Sequence, residues 1–209
     1  MMTPKQTSIG LDVFYPIVPD IDWLRRLVPL GVRTIQLRMK DLSDEEMRRQ
    51  ISAAMDICSA NGCQLIVNDF WELAIELKAD FIHLGQEDLA VADVSAIRAA
   101  GLKLGVSTHS IEELAIGLDI QPDYVALGPI YETKLKAMKW SPQGLERVGD
   151  WARRVGDIPL VGIAGITIER ASGVLKAGAD SVAVITDFLT HPEPEKRVLE
   201  WLTWADDAR

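Results

Sequence analysis

The sequence predicts an α/β protein of the (β/α)8, or TIM, barrel class. Three observations lead there. Short apolar, β-rich runs alternate with helical patterns along the whole chain, which implies a parallel sheet with crossover helices. The alternation repeats eight times, at a spacing of about 20 to 30 residues. No GxGxxG follows the first run, the fingerprint an open doubly wound sheet would favour. Nothing in composition divides the 209 residues, so 1–209 reads as a single barrel domain with 1–10 as a polar tail.

The elements follow in order. Val13 to Val18 is the first strand, with a helix around Ile21 to Leu30. Val32 to Leu37 is the second. Ser43, with Glu46 three residues on, opens a long helix in capping-box fashion. Asn61-Gly62 stops it. Gln64 to Val67 precedes a helix over Trp71 to Leu77. Phe81 to Leu84 precedes one over Val94 to Ala100, ended by Gly101. Leu102 to Val106 precedes a helix from Ser110 to Leu118. Tyr124 to Leu127 leads into a long polar loop, Gly128 to Pro142, and a helix to about Val155. Pro159 to Ile163 precedes a helix over Thr167 to Ala177. Ser181 to Ile185 and a helix over Glu195 to Ala205 close the chain.

Bulk properties exclude several function classes. At 48% hydrophobic and 25% charged residues, the chain can fill a core and is not disordered. A net charge of −9 argues against a nucleic-acid partner. No apolar run approaches the roughly 20 residues of a membrane span. Residues 1–10 lack a signal-peptide core. Cys58 and Cys63, the two cysteines, match no zinc spacing and read as reduced and buried, as in a cytoplasmic protein.

In a barrel of this class the site lies at the carboxyl ends of the strands, and chemically capable residues crowd that end here. Gln36, Arg38 and Lys40 follow the second strand, alternating so as to share a face on an extended chain. Two cations there need a partner, either an anionic ligand or an internal salt bridge to Asp41, Asp69 or Asp88. Asn68 and Asp69 follow the third strand and Gly85 to Asp88 the fourth. Ser107-Thr108-His109 follow the fifth, and Thr133, Lys134 and Lys136 the sixth. Gly162 to Ile166 follow the seventh, and Thr186-Asp187 the eighth. The opposite ends carry only ordinary turns such as Leu30-Gly31 and Ala79-Asp80.

Asp69 and Asp88 close neighbouring strands and would repel without a cation between them. Mg²⁺ resolves this, since it takes one or two carboxylates plus waters and phosphate; helix capping is the rival reading. The small residues of Gly162 to Ile166, ahead of a helix, suit a phosphate, or serve tight packing alone. His83 falls inside a strand pattern and reads as core. His109 is a candidate substrate contact or general base. Trp140 covers a ligand or packs on the rim, while Trp23, Trp71, Trp151, Trp201 and Trp204 fall on helix patterns.

Taken together, these segments resemble the thiamine-phosphate synthase family from about Tyr15 to Thr186. The likeness rests on Gln36-Leu37-Arg38-Met39-Lys40, Asn68-Asp69, His83 to Asp88, Gly105 to Ser110, Gly128-Pro129-Ile130-Tyr131, Lys136 and Gly162 to Ile166. It implies a Mg²⁺-dependent transferase that couples a pyrimidine pyrophosphate to a thiazole phosphate, with pyrophosphate as co-product. It implies that residues 36–40 (including Leu37 and Met39), Asn68, Ser107 and Lys136 hold the pyrimidine pyrophosphate, and that Asp69 and Asp88 hold the metal. Arg38, Lys40, Ser107 and Lys136 would be the catalytic groups. Thr133, Lys134, Leu135, Gly165, Ile185 and Thr186 would hold the thiazole phosphate. Two positions depart from the family. Leu135 replaces a hydroxyl residue, leaving its backbone N–H or Lys134 to serve. Ala164 stands where paired glycines are common, and its methyl is tolerable if φ stays negative. Rival readings are a thiazole tautomerase using His109, a non-catalytic phosphate-ligand sensor and a phosphosugar isomerase barrel. Partners are small molecules, and a homodimer formed through a helical face is plausible.

Overall fold

A computed structural model describes residues 9–133 and 140–209. Lys134, Leu135 and Lys136, expected in the site, and most of the polar tail lie outside the described residues. The strands are β1 (Phe14–Val18), β2 (Thr34–Leu37), β3 (Gln64–Asn68), β4 (Phe81–Leu84), β5 (Lys103–Thr108), β6 (Tyr124–Leu127), β7 (Leu160–Ile163) and β8 (Ser181–Val184). They pair in parallel in sequence order, and β8 returns to β1 to close the barrel.

The helices are α1 (Ile21–Leu27), α2 (Asp44–Ala60), α3 (Trp71–Glu76), α4 (Gln86–Leu89), α5 (Val94–Ala99), α6 (Ile111–Asp119), α7 (Gly144–Val155), α8 (Ile168–Lys176), α9 (Thr186–Leu189) and α10 (Pro194–Ala208). Side chains cap several as their sequence suggests: Asp20 accepts from Trp23 N, Ser43 from Glu46 N and Ser110 from Glu113 N. The Glu46 carboxylate turns to Arg49 and Gln50, so only half of the expected capping box is described. The first helix ends three residues earlier than expected, because Pro29 has no N–H to continue it and Val28–Leu30 tightens into a 3-10 turn.

Alternation along the strands divides the core in two. Outward residues such as Ile35, Leu37, Val67, Ile82, Leu104, Val125 and Val182 pack under the helices with Trp151 and Trp201. Inward residues, among them Tyr15, Ile17, Ile66, Phe81, Tyr124, Ala126, Val161 and Ala183, fill the barrel. Leu11 and Ile9 join this inner cluster, so the end of the expected tail packs against the barrel interior. Arg209 secures it by gripping the buried Asp12 carboxylate at 2.9 and 2.7 Å.

Tyr124 is the largest inward residue of β6, and it fits because β5 carries Gly105 beside it. A Cβ at Gly105 would lie 2.1 Å from the Tyr124 ring. Relief would require moving a fully buried aromatic ring, and overpacking of this kind costs about 1–3 kcal/mol or more. Gly105→Ala is therefore expected to lower the urea midpoint sharply with little change in the denaturant slope, whereas Gly101→Ala at an open turn should not displace any neighbour.

Candidate active site

The strand-end residues converge on the mouth of the barrel. Gln36, Asn68, His83 and Ser107 lie on β2, β3, β4 and β5, with Asn68 in register with His83 and His83 with Gly105. Asn68 and Ser107 thus belong to strands, not to the loops expected to carry them. Gln36, Asn68 and His83 are buried and Ser107 is half-buried. β2 itself ends at Leu37, although Arg38 N still donates to Val18 O at 2.8 Å. Arg38 is half-buried and Lys40 exposed. Leu37 and Met39 are buried in the outer core, so of that stretch only their backbone is placed for a ligand.

Cations and carboxylates at the mouth are not paired. Neither Arg38 nor Lys40 forms an ion pair among the described residues, so the alternative of an internal salt bridge to Asp41, Asp69 or Asp88 is not realised there. Asp69 and Asp88 stand within hydrogen-bonding reach of each other. Burial first, and the Asp88 carboxylate second, push the Asp69 carboxyl up to about 6, with Arg38 opposing them. Asp69 adopts φ 68°, a left-handed conformation that Asp and Asn tolerate. Neither aspartate caps a helix with its side chain. The start of α3 has no side-chain cap, and Asp88 lies inside α4, behind Gly85. The amide nitrogen of Asn68 is buried and makes no hydrogen bond of normal geometry, although the Asn68 side chain lies close enough to the Asp69 carboxyl to oppose its rise. No third His, Cys, Asp or Glu joins the pair among the described residues. A pair of carboxylates suits a magnesium ion, which takes one or two of them and completes its shell with waters and phosphate.

His83 is a core histidine, as the sequence suggested. Its Nδ1 meets Tyr124 Oη at 2.6 Å and its Nε2 meets Ser107 Oγ at 2.8 Å. Burial, with a smaller contribution from Arg38, lowers its pKa to about 3, so the ring is neutral. His109 is paired with Glu113 at 2.7 Å and stacked on Trp140, 5.8 Å between centroids. The groove these two line with Gln143 and Arg147 contains none of the strand-end cluster.

The loops after β7 and β8 adjoin one another. Ala164 has φ 77° and Gly165 φ 67°, so the condition set for Ala164 is not met, and its Cβ sits in the strained left-handed region. Gly165 is also required by packing, since a Cβ there would lie 2.6 Å from Glu132 O. Arg170 holds Gly165 O at 2.8 Å. After β8 comes α9, which begins at Thr186 behind Ile185 with no side-chain cap. Such a short extra helix is where barrels of this class often bind phosphate. Arg197 grips Asp187 at 2.7 and 3.1 Å, and Trp201 Nε1 adds a third bond at 2.8 Å, fixing α9 to α10. Thr133 is half-buried at the start of the sixth loop. The sequence offered no sign of α4 or α9, because four residues are too few to show helical periodicity.

The raised Asp69 carboxyl has a consequence for stability. A carboxyl that holds its proton more tightly when folded favours the native state below its ordinary pKa, and this contribution is lost as pH rises through about 6. In metal-free protein, Asp69→Asn is therefore expected to raise Tm at pH 8 and to change it little at pH 4. Asn also suits the left-handed backbone, so the comparison isolates charge. With saturating Mg²⁺ at pH 8 the order should reverse, because ligand binding stabilises only the chain that holds the ion.

Comparisons with known proteins bear on the family and the fold. The family model described as thiamine monophosphate synthase matches residues 14–188. A thiamine-phosphate synthase of Rhizobium etli is 59% identical over 92% of this chain and 94% of that protein. One of Escherichia coli O1:K1 is 46% identical over 88% and 85%. The solved thiamine phosphate pyrophosphorylase of Pyrococcus furiosus superposes with a TM-score of 0.84 at 26% identity, over 96% of this chain and 98% of that one. The chain belongs to the thiamine monophosphate synthase family, transferases of thiamine biosynthesis.

Proposed function

We propose that the chain joins 4-amino-2-methyl-5-hydroxymethylpyrimidine pyrophosphate to 4-methyl-5-(2-phosphoethyl)thiazole, or its carboxylated form, giving thiamine phosphate and pyrophosphate with Mg²⁺ as cofactor. The observation that carries this reading is the lack of ion pairing at the mouth. Asp69 and Asp88 crowd each other although Arg38 lies close by, and Arg38 and Lys40 have no carboxylate partner among the described residues. A ligand that is at once an anion and a metal chelate satisfies both halves.

Asp69 and Asp88 would hold the magnesium ion, which when bound offsets negative charge on the departing pyrophosphate. Arg38 and Lys40 face the same charge from the protein side, with Lys136 of the sixth loop assigned to join them. Ser107 Oγ and the unpaired amide of Asn68 offer hydrogen bonds, and Gln36 orients the pyrimidine. The ring is an electron-rich aminopyrimidine, so positive charge left on its exocyclic carbon as pyrophosphate departs is delocalised. The thiazole nitrogen already carries a lone pair and needs no base, so the contact of Ser107 with the buried, neutral His83 is not called on as a nucleophile–base pair. Gly165, Ile185 and Thr186, with Thr133, Lys134 and Leu135, would hold the thiazole phosphate, partly by backbone N–H groups at the start of α9.

The test is a coupling assay with both substrates, with and without Mg²⁺, following thiamine phosphate. Product is expected only with the metal. Asp69→Asn, Asp88→Asn and Lys136→Ala should each lower kcat/KM by about 100-fold or more in folded protein. Binding of both substrates without turnover would instead identify a sensor.

A further inference from the structure

Five polar side chains from five strands form a continuous hydrogen-bonded wire inside the barrel. Gln36 Nε2 lies 2.7 Å from Tyr15 Oη, and Tyr15 Oη 2.9 Å from Tyr124 Oη. Tyr124 Oη lies 2.6 Å from His83 Nδ1, and His83 Nε2 2.8 Å from Ser107 Oγ. The three middle members are buried. The two ends are the residues assigned above to the pyrimidine pyrophosphate.

Counting protons fixes how the wire runs. A phenol has one proton to donate, and a neutral imidazole carries one on one of its two nitrogens. With the Gln36 amide donating to Tyr15, the Tyr15 proton goes to Tyr124 and the Tyr124 proton to His83 Nδ1. His83 must then carry its proton on Nε2, directed at Ser107. Ser107 accepts there and keeps its own proton for a group outside the wire, while Gln36 keeps its amide oxygen. The opposite order needs the Gln36 amide turned over so that its oxygen accepts from Tyr15. Every bond then reverses, and Ser107 gives its proton to His83. A mixed order leaves a buried hydroxyl proton with no acceptor, or a contact with no proton in it or with two, which burial makes costly.

We propose that Tyr15, Tyr124 and His83 are positioning residues that couple the two ends of the site, holding Gln36 as an acceptor and Ser107 as a donor. This rests on the reaction proposed above and adds a basis for selectivity from residues that touch no substrate. The amino group of the pyrimidine donates and its pyrophosphate only accepts, so the order in which the Gln36 amide donates to Tyr15 serves both. A 4-oxo pyrimidine presents an acceptor to Gln36, calls for the reverse order and withdraws the Ser107 proton from the phosphate.

Two measurements test it. The first is ¹⁵N NMR of His83 at pH 8 in the full chain. The Nε2–H tautomer is expected in the wild type and the Nδ1–H tautomer in Gln36→Glu, because a carboxylate can only accept. The same tautomer in both overturns the proposal without reference to turnover. The second is the cost of Ser107→Ala in binding the pyrimidine pyrophosphate. A hydrogen bond to a charged group predicts a loss of roughly 10- to 100-fold in the wild type. In Gln36→Glu the loss should shrink to less than about 3-fold, and it should return when Tyr124→Phe is added to cut the wire. Tyr15→Phe cuts a different bond and replaces Tyr124→Phe if that variant does not fold. An equal cost in all backgrounds overturns the proposal. A tautomer switch in protein that forms no thiamine phosphate would retain the wire and overturn the reaction.

Discussion

The ring of Tyr124 lies against the bare Cα of Gly105, and the interior of the barrel is arranged around that contact. Tyr15 meets the ring edge-on at 6.2 Å, Phe81 is tilted against it at 5.6 Å, and His83 stacks on it at 5.4 Å. These rings fill much of the space below the mouth and make a packed floor for a substrate. The same packing buries hydroxyls and an imidazole among apolar groups, where unpaired polar atoms are costly. Their partners are one another, and the chain of bonds that results ends at Gln36 and Ser107, at the level of the chemistry. Here packing and recognition are consequences of a single geometric choice.

Above that floor Arg38 and Lys40 are left without an ion pair among the described residues. In a chain of net charge −9, attraction for an anion has to come from such local cations. Most described cations elsewhere are engaged in surface pairs such as Arg26 with Glu195, or in the partly buried grip of Arg197 on Asp187. The repulsion between Asp69 and Asp88 is an arrangement that is unfavourable alone and that a bound cation relieves, so ligand binding and local stability are linked.

The loops after β7 and β8 are shaped by backbone. Ala164 and Gly165 both turn left-handed, Gly165 because the sixth loop passes too close for a side chain. Ala164 carries strain that glycine would avoid, held by the bond from Tyr131 N to its carbonyl at 3.1 Å. The four-residue α9 has little stability of its own, and its position comes from α10 through Asp187, Arg197 and Trp201. The last helix thus fixes a strand-end segment that is too short to hold itself in place.

The sequence alone determined the barrel, since period-two apolar runs and helical patterns are local signals, and so was the clustering of Gln36, Arg38, Asn68, Asp69, Asp88 and Ser107 at one end, which follows from strand direction. It determined His83 as a core residue for the same reason. It left open whether Arg38 and Lys40 face a ligand or a salt bridge, and whether Asp69 and Asp88 are ligands or caps, because those alternatives differ by a few ångströms between segments far apart in sequence. Only the tertiary structure showed that, among the described residues, Arg38 and Lys40 form no ion pair and neither aspartate side chain caps a helix. It alone placed α4 and α9, too short for periodicity, and gave Ala164 its positive φ, imposed by a neighbouring loop. The wire is the clearest case. Tyr15 and Tyr124 stand 109 residues apart, each an ordinary strand aromatic in the sequence, and closure of the barrel is what brings their hydroxyls into contact.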